Sequence, residues 1–244
     1  MTALFKKEIS MFFGTLIGYI IISIFLLFNG IILWTNVSQF NILDYGYANM
    51  DMFFDTSPML FILFIPALSM RVFTEEYNSG TIEILITKPL SILNIIFAKF
   101  LAIICLIIIS LLPTISYVVT IYFLGDSIGN LDLASILGSY LGLLLLSVMF
   151  TAISIYASAL SKNQVTSFII ATIICCLFYF GFDLLSKLLS TNSLSLFIQK
   201  IGINYHYNEM SKGLIKLSDI IYFLSITFLF LKLTEVSIRK KHEQ

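Results

Sequence analysis

Ionisable side chains are scarce in this chain, and six of its 28 charged residues fall in one polar interruption between long apolar runs. Arg71, Glu75, Glu76, Glu83, Lys88 and Lys99 fall within residues 71–99, three acids and three bases between two long apolar runs. Those residue types could bind or catalyse, so the first question is which partners the pattern allows. No Gly-rich loop followed by Lys-Ser/Thr occurs, so the chain has no cradle of its own for nucleotide phosphates. The histidines are His206 and His242 alone, without the i, i+4 spacing of a zinc peptidase. We therefore expect no catalytic, cofactor-binding or metal-ligating residue, and a charged cluster whose chemistry is recognition.

The local pattern says how such a cluster would be presented. Residues 74–79 can prolong a helix out of the preceding apolar run, and Gly80 suits its C-terminal cap. Thr81 to Thr87 gives about two helical turns, with Ile82, Leu85 and Ile86 on one face and Glu83 and Thr87 turned elsewhere. Pro89 stops that helix and Ser91 can cap the next. A two-turn helix is marginal by itself, so it needs a surface to dock on. The apolar face Ile82, Leu85, Ile86 is the expected docking face. An ordinary re-entry loop with interfacial charges, Arg71 pairing with Glu75 at i, i+4, is the alternative.

The elements that must hold this stretch follow from composition. The chain has 244 residues, 59% hydrophobic and 11% charged, with a mean hydropathy of +0.99. Soluble domains carry about 25% charged residues, so this sequence cannot cover a water-facing surface. A bilayer core of about 30 Å takes roughly 20 apolar residues per helix. The pattern predicts an all-α polytopic membrane protein, one domain over residues 1–244, with spans near 12–34, 56–73, 96–123, 135–160, 165–186 and 217–236. Residues 1–11, with Lys6 and Lys7 against Leu4 and Phe5, suit a helix lying at the inner interface. Pro58 is expected to open the second span with Ser57 as its cap, Pro66 to kink it, and Pro113 to bend the third. Gly138 and Gly142 form a small-xxx-small pair that admits a close neighbour, either a second subunit or another helix of the same one. Ile198, Ile201 and Ile203 with Tyr205 and Tyr207 predict short helices on the outer interface before the last span.

Charge sets the orientation. The candidate outer loops 35–56 and 125–133 carry Asp44, Asp51, Asp55, Asp126 and Asp132 and no base, whereas Lys6, Lys7, Arg71, Lys88, Lys99, Lys162 and Arg239 to Lys241 lie at the other ends of the same spans. The positive-inside rule then puts both termini in the cytoplasm. Residues 187–216 run against it, with Lys187, Lys200, Lys212 and Lys216 on the side that six spans make external. No Asp, Glu, Lys or Arg falls in the middle of a predicted span, which argues against an ion-coupled carrier. Energy for any movement would have to come from outside the chain.

The run Arg71-x-Phe73-x-Glu75-Glu76-x3-Gly80-Thr81-x-Glu83-x-Leu85-x2-Lys88-Pro89, followed by Lys99-Phe100, resembles the signature of permease subunits of type-2 ABC exporters. Within that class Phe40–Gly46, Gly129–Ala134 with Gly138-Ser-Tyr140, and Ser211–Ile215 with Asp219–Ser225 look most like the gliding-motility permeases of Bacteroidetes (the GldF group). The resemblance implies an inner-membrane permease that is not itself an enzyme. It implies two permease chains, identical or different, and two ABC ATPase chains that hold the ATP and magnesium. It also implies a cytoplasmic coupling helix at about 79–88, preceded by the acidic pair Glu75 and Glu76. The residues carried over for ATPase coupling are Glu75, Glu76, Gly80, Thr81, Ile82, Glu83, Leu85, Ile86, Lys88 and Pro89. The other partner is the lipid bilayer; no nucleic acid is expected. A different class remains open, a non-transporting membrane scaffold that hands ATPase-driven motion to an extracytoplasmic partner through residues 187–216.

Overall fold

The computed structural model describes residues 1–35, 49–87, 91–125, 131–189 and 193–242. The stretches Phe40–Gly46, which includes Asp44, and Lys88-Pro89 lie outside the described residues, as do Asp126 and the Gly129-Asn130 part of the stretch Gly129–Ala134. Among the described residues every regular element is helical, as the composition requires of a chain whose backbone polar groups must be satisfied within hydrocarbon. Five helical stretches are long and apolar enough to cross a membrane, and six if the bent N-terminal pair counts as one span. The chain is an all-α, multi-pass membrane protein.

That pair is α1 (Thr2–Gly14) and α2 (Leu16–Trp34), which meet at 68°. The N-terminal helix runs three residues beyond the expected 1–11, and the first span starts correspondingly later. Gly18 permits the bend, because a Cβ there would stand 2.6 Å from the Phe12 carbonyl oxygen. The second span is α3 (Asp51–Ser69) followed by α4 (Arg71–Asn78). Here two sequence expectations need correction. Pro58 does not open the helix, which begins seven residues earlier at Asp51. Ser57, far from capping it, is fully buried and donates to Asn29 Oδ1 of α2 at 3.4 Å. The helix continues through Pro66, and its interruption falls at Met70, whose N–H still reaches the Pro66 carbonyl at 2.9 Å.

Helix α5 (Thr81–Ile86) precedes α6 (Ile92–Leu111), which Ser91 caps by accepting from the Asn94 N–H at 3.3 Å. A 3₁₀ turn at Leu112–Thr114 carries Pro113 and joins α6 to α7 (Ile115–Leu124). The central helix is α8 (Leu133–Leu160), about 42 Å long at 1.5 Å per residue. Asp132 accepts from the N–H groups of Ala134 and Ser135 at its start, satisfying two of the unpaired donors of a helix N-terminus. It packs on α3, α4, α6, α9 (Gln164–Cys176), α12 (Ile203–Ser211) and α13 (Leu217–His242). A π-helical turn at Leu177–Gly181 leads from α9 to α10 (Phe182–Leu188), and α11 (Ser193–Ile201) follows.

Proline chemistry explains how α12 is seated. Pro58 has no N–H to give the carbonyl of Phe54, four residues back. Tyr207 of α12, fully buried, donates its hydroxyl to that carbonyl at 2.6 Å. Burial pushes the Tyr207 hydroxyl's pKa well above the ordinary phenol value, so it remains a donor. The Gly138–Gly142 pair receives the same helix. A Cβ on Gly138 would collide with the Met210 carbonyl, and one on Gly142 would lie 3.1 Å from the Tyr207 ring. Ser135 Oγ adds a 2.6 Å bond to the Ser211 carbonyl. The small-residue spacing therefore serves packing within one subunit.

Candidate functional site

The cluster picked out at 71–99 is built around α4. Lys99, two turns into α6, is 2% exposed and spends all three N–H donors of its ammonium. It donates to Glu8 Oε1 of α1 at 2.9 Å, to Glu76 Oε1 of α4 at 2.8 Å, and to the Val72 carbonyl at 3.0 Å. The ammonium also stands 5.3 Å from the centroid of the Phe73 ring. One cation thus ties three helices together out of contact with water. Glu8 reaches it because Leu4, Glu8 and Phe12 form an i, i+4, i+8 stripe that faces inward.

Two further polar ties converge on α4. The break at Met70 leaves backbone groups without helical partners, and Ser158 of α8 accepts the Phe73 N–H at 3.0 Å while donating to the Met70 carbonyl at 3.2 Å. The last carbonyls of α8 are orphaned in the same way. Lys241 of α13 covers them, donating to Ala159 at 2.7 Å and Leu160 at 3.0 Å, with its ammonium 4.2 Å from the centroid of the Tyr77 ring. A cation suits that position because the helix dipole is negative there. The N-terminal helix, the α4–α5 element, the end of α8 and the C-terminal tail consequently gather at one end of the bundle. The residues 203–219 sit at the other.

At the first end the chain turns sharply. Gly80 has φ 69°, the left-handed conformation that glycine adopts without Cβ strain, and nothing lies within 4 Å of where a Cβ would stand. Its position sends α5 off the line of α4. Ser79 Oγ and Thr81 Oγ1, 2.8 Å apart, brace the corner.

Each residue named from the sequence can now be placed. Glu76 is buried against Lys99 and is not free at the surface. Glu75 is half-buried, its Oε1 3.6 Å from Arg71 Nε. The direction of the apolar face of α5 needs correction: Leu85 is only 7% exposed and Ile82 is half-buried, both packed into the chain's own core. The apolar side chain turned outward is Ile84, 61% exposed, beside exposed Glu83 and Thr87. Thr81 is half-buried at the corner, and Ile86 closes the helix. Lys6 and Lys7 lie on the outer side of α1, with Lys7 Nζ 4.0 Å from Glu76 Oε1. Glu8 and Lys99 were not singled out in the sequence as a pair. The available signal was a carboxylate on the apolar stripe of α1 and a lysine between Ile96 and Ile103 on the buried face of α6.

A cleft of about 460 Å³ opens between α1 and α4, lined by Lys7, Glu8, Arg71, Glu75, Glu76 and Lys99 together with Met11, Phe12 and the Gly14-Thr15 bend. At the opposite end the excess of lysine is partly neutralised. Hydrogen bonds from Lys216 at 2.7 Å and Lys212 at 3.0 Å hold the Glu209 carboxyl down to about 2. His206 pairs with Asp219 at 2.8 Å and stacks on Tyr222.

Comparison with known families places this arrangement. The family model described as ABC-2 family transporter protein matches residues 2–241. No curated protein matches the chain.

Proposed function

The chain belongs to the ABC-2 transporter family, and on that premise we propose that α5 is the element through which a separate ABC ATPase drives it. The family makes the chain a membrane permease subunit that works with an ATPase partner in a generally dimeric arrangement. The observation that carries the coupling reading is the corner at Gly80, which presents Glu83, Ile84 and Thr87 to solvent while Leu85 anchors the helix inward. A short helix that is fixed on one side and offers an exposed isoleucine flanked by polar groups on the other is suited to dock in a protein groove.

In this reading ATP and magnesium are held by the partner, the end bearing α5 and both termini faces the cytoplasm, and the membrane is the inner membrane. Lys6, Lys7, Arg71, Lys99, Lys162 and Arg239 to Lys241 at that end support the orientation. The sequence resemblance further points to the gliding-motility group and so to a complex with a role in gliding. A second reading, a scaffold transmitting ATPase-driven motion outward, is favoured by one observation. Tyr207, Gly138 and Gly142 seat the outer helix α12 rigidly on α8 and α3, the helices that meet α4 at the other end.

Two substitutions test the docking. Ile84→Asp is expected to leave the thermal stability of the chain unchanged while reducing co-purification of the ATPase and stimulation of its phosphate release. Leu85→Asp is expected to destabilise the chain itself, because it buries a carboxylate in the core. Full ATPase recovery and stimulation with Ile84→Asp would refute the assignment.

A further inference from the structure

We propose that the cleft between α1 and α4 binds the headgroup of a phospholipid whose phosphate carries a primary ammonium, the phosphoethanolamine class. This goes beyond the docking of α5 and does not depend on it. The cleft opens at Gly14 and Thr15, where α1, whose sequence suits an interfacial helix, turns by 68° into the apolar helix α2, the place at which a bilayer's headgroups would meet the chain. Its volume of about 460 Å³ is within the usual range of small-ligand sites. Beyond its mouth Leu16, Tyr19 and Ile20 of α2 are exposed, and acyl chains would run along them.

The charges select the headgroup. Three acids and three bases line the site, so it carries no net charge, and a zwitterion matches it better than a lone anion or cation. Lys99 is fully used by Glu8, Glu76 and Val72. Arg71 is not: it is 8% exposed, its Nε has no hydrogen-bond partner among the described residues, and the 3.6 Å approach to Glu75 is longer than a hydrogen bond. A buried guanidinium with an unused N–H is a ready phosphate donor, and exposed Lys7 on the facing helix supplies a second cation. On the acceptor side, Glu76 Oε2 has no partner among the described residues and Glu75 is half-exposed. These carboxylates can accept N–H bonds from a primary ammonium but not from a quaternary one, which has no N–H to give.

The test uses the purified full-length chain and native mass spectrometry with phosphatidylethanolamine, phosphatidylcholine and phosphatidylglycerol of identical acyl chains. Phosphatidylethanolamine is expected to be retained preferentially, and Arg71→Gln to weaken it by about tenfold, the order set by a charge-assisted hydrogen bond. Glu75→Gln, which keeps the shape of a half-exposed side chain, is expected to abolish the preference for phosphatidylethanolamine over phosphatidylglycerol while phosphatidylglycerol binding persists. Equal retention of the three lipids by the wild-type chain, or an undiminished preference in Glu75→Gln, would overturn the proposal. Saturation by free phosphoethanolamine with no gain from acyl chains would reassign the site to a soluble headgroup and equally overturn it.

Discussion

Replacing Lys99 by Met tests whether the buried ammonium is what holds α1, α4 and α6 together. Methionine keeps the unbranched stem and most of the volume, so the change is close to a deletion of charge. In the native chain the lysine side chain is 1% exposed and its carboxylate partners 5% and 8%, at 2.9 and 2.8 Å. Removing it strands two carboxylates with only Lys7, 4.0 Å from Glu76, as a counter-charge. Breaking a buried pair by deleting one partner costs about 3–5 kcal/mol. The α1–α4 cleft gives the stranded groups some access to water, so the lower figure, about 3 kcal/mol, applies. For a chain of this length that corresponds to a fall in Tm of roughly 6–12 °C. The assay is loss of the monodisperse peak with temperature in detergent, for Lys99→Met and for the triple variant with Glu8→Gln and Glu76→Gln. Neutral amides need no counter-ion, so the triple variant should regain most of the loss, and the difference between the two reports the coupling. A single variant within about 1 °C of the wild type, or a triple variant no better than the single, would refute the reasoning.

Two other substitutions isolate backbone effects. Gly80→Pro cannot adopt φ 69° and loses the 3.4 Å bond from the Gly80 N–H to the Tyr77 carbonyl, so α5 leaves its native line. Normal membrane insertion with loss of ATPase stimulation is the expected outcome, and unchanged phosphate release would count against the corner at Gly80. Tyr207→Phe strands the Phe54 carbonyl that Pro58 already deprives of a donor, at a cost of about 1–3 kcal/mol read as a lower Tm. Adding Pro58→Ala restores a backbone N–H to the same carbonyl, and failure of that second change to raise the Tm of Tyr207→Phe would contradict the pairing.

What could be read from residues alone followed from local pattern. Runs of about 20 apolar residues locate the spans, Gly80 marks the start of a short helix, and Ser91 marks the start of the next. The apolar face of α5 was visible at Ile82 and Leu85, but periodicity says only that a face exists, not what covers it. The core of the same chain covers it, and Ile84, on no apolar stripe, is left outside. Lys99 was harder for a related reason. Its partner Glu8 is 91 residues away, and a lysine near the end of an apolar run is normally credited to the aqueous side. Pro58 misled because a proline near the start of an apolar run suits a first turn, whereas the helix extends a further two turns toward Asp51. Tyr207, 153 residues on from Phe54, supplies the carbonyl of Phe54 with the donor that the internal proline lacks.

The position of the buried lysine bears on how a push on α5 would travel. A two-turn helix joined to a flexible neighbour would move alone and transmit little. Here α5 follows α4 through a single braced corner, and α4 is fixed by Lys99 to α6 and α1, by Ser158 to the end of α8, and by Tyr77 beside Lys241 to the tail of α13. Displacement at α5 is therefore loaded onto charge-assisted and backbone-capping bonds whose loss would leave buried groups unpaired, which makes concerted motion of these helices cheaper than local yielding. Among the described residues, α2, α9 and α13 present exposed apolar side chains such as Leu27, Ile169 and Phe228. Relative motion is easiest along those faces, where the exposed side chains are apolar.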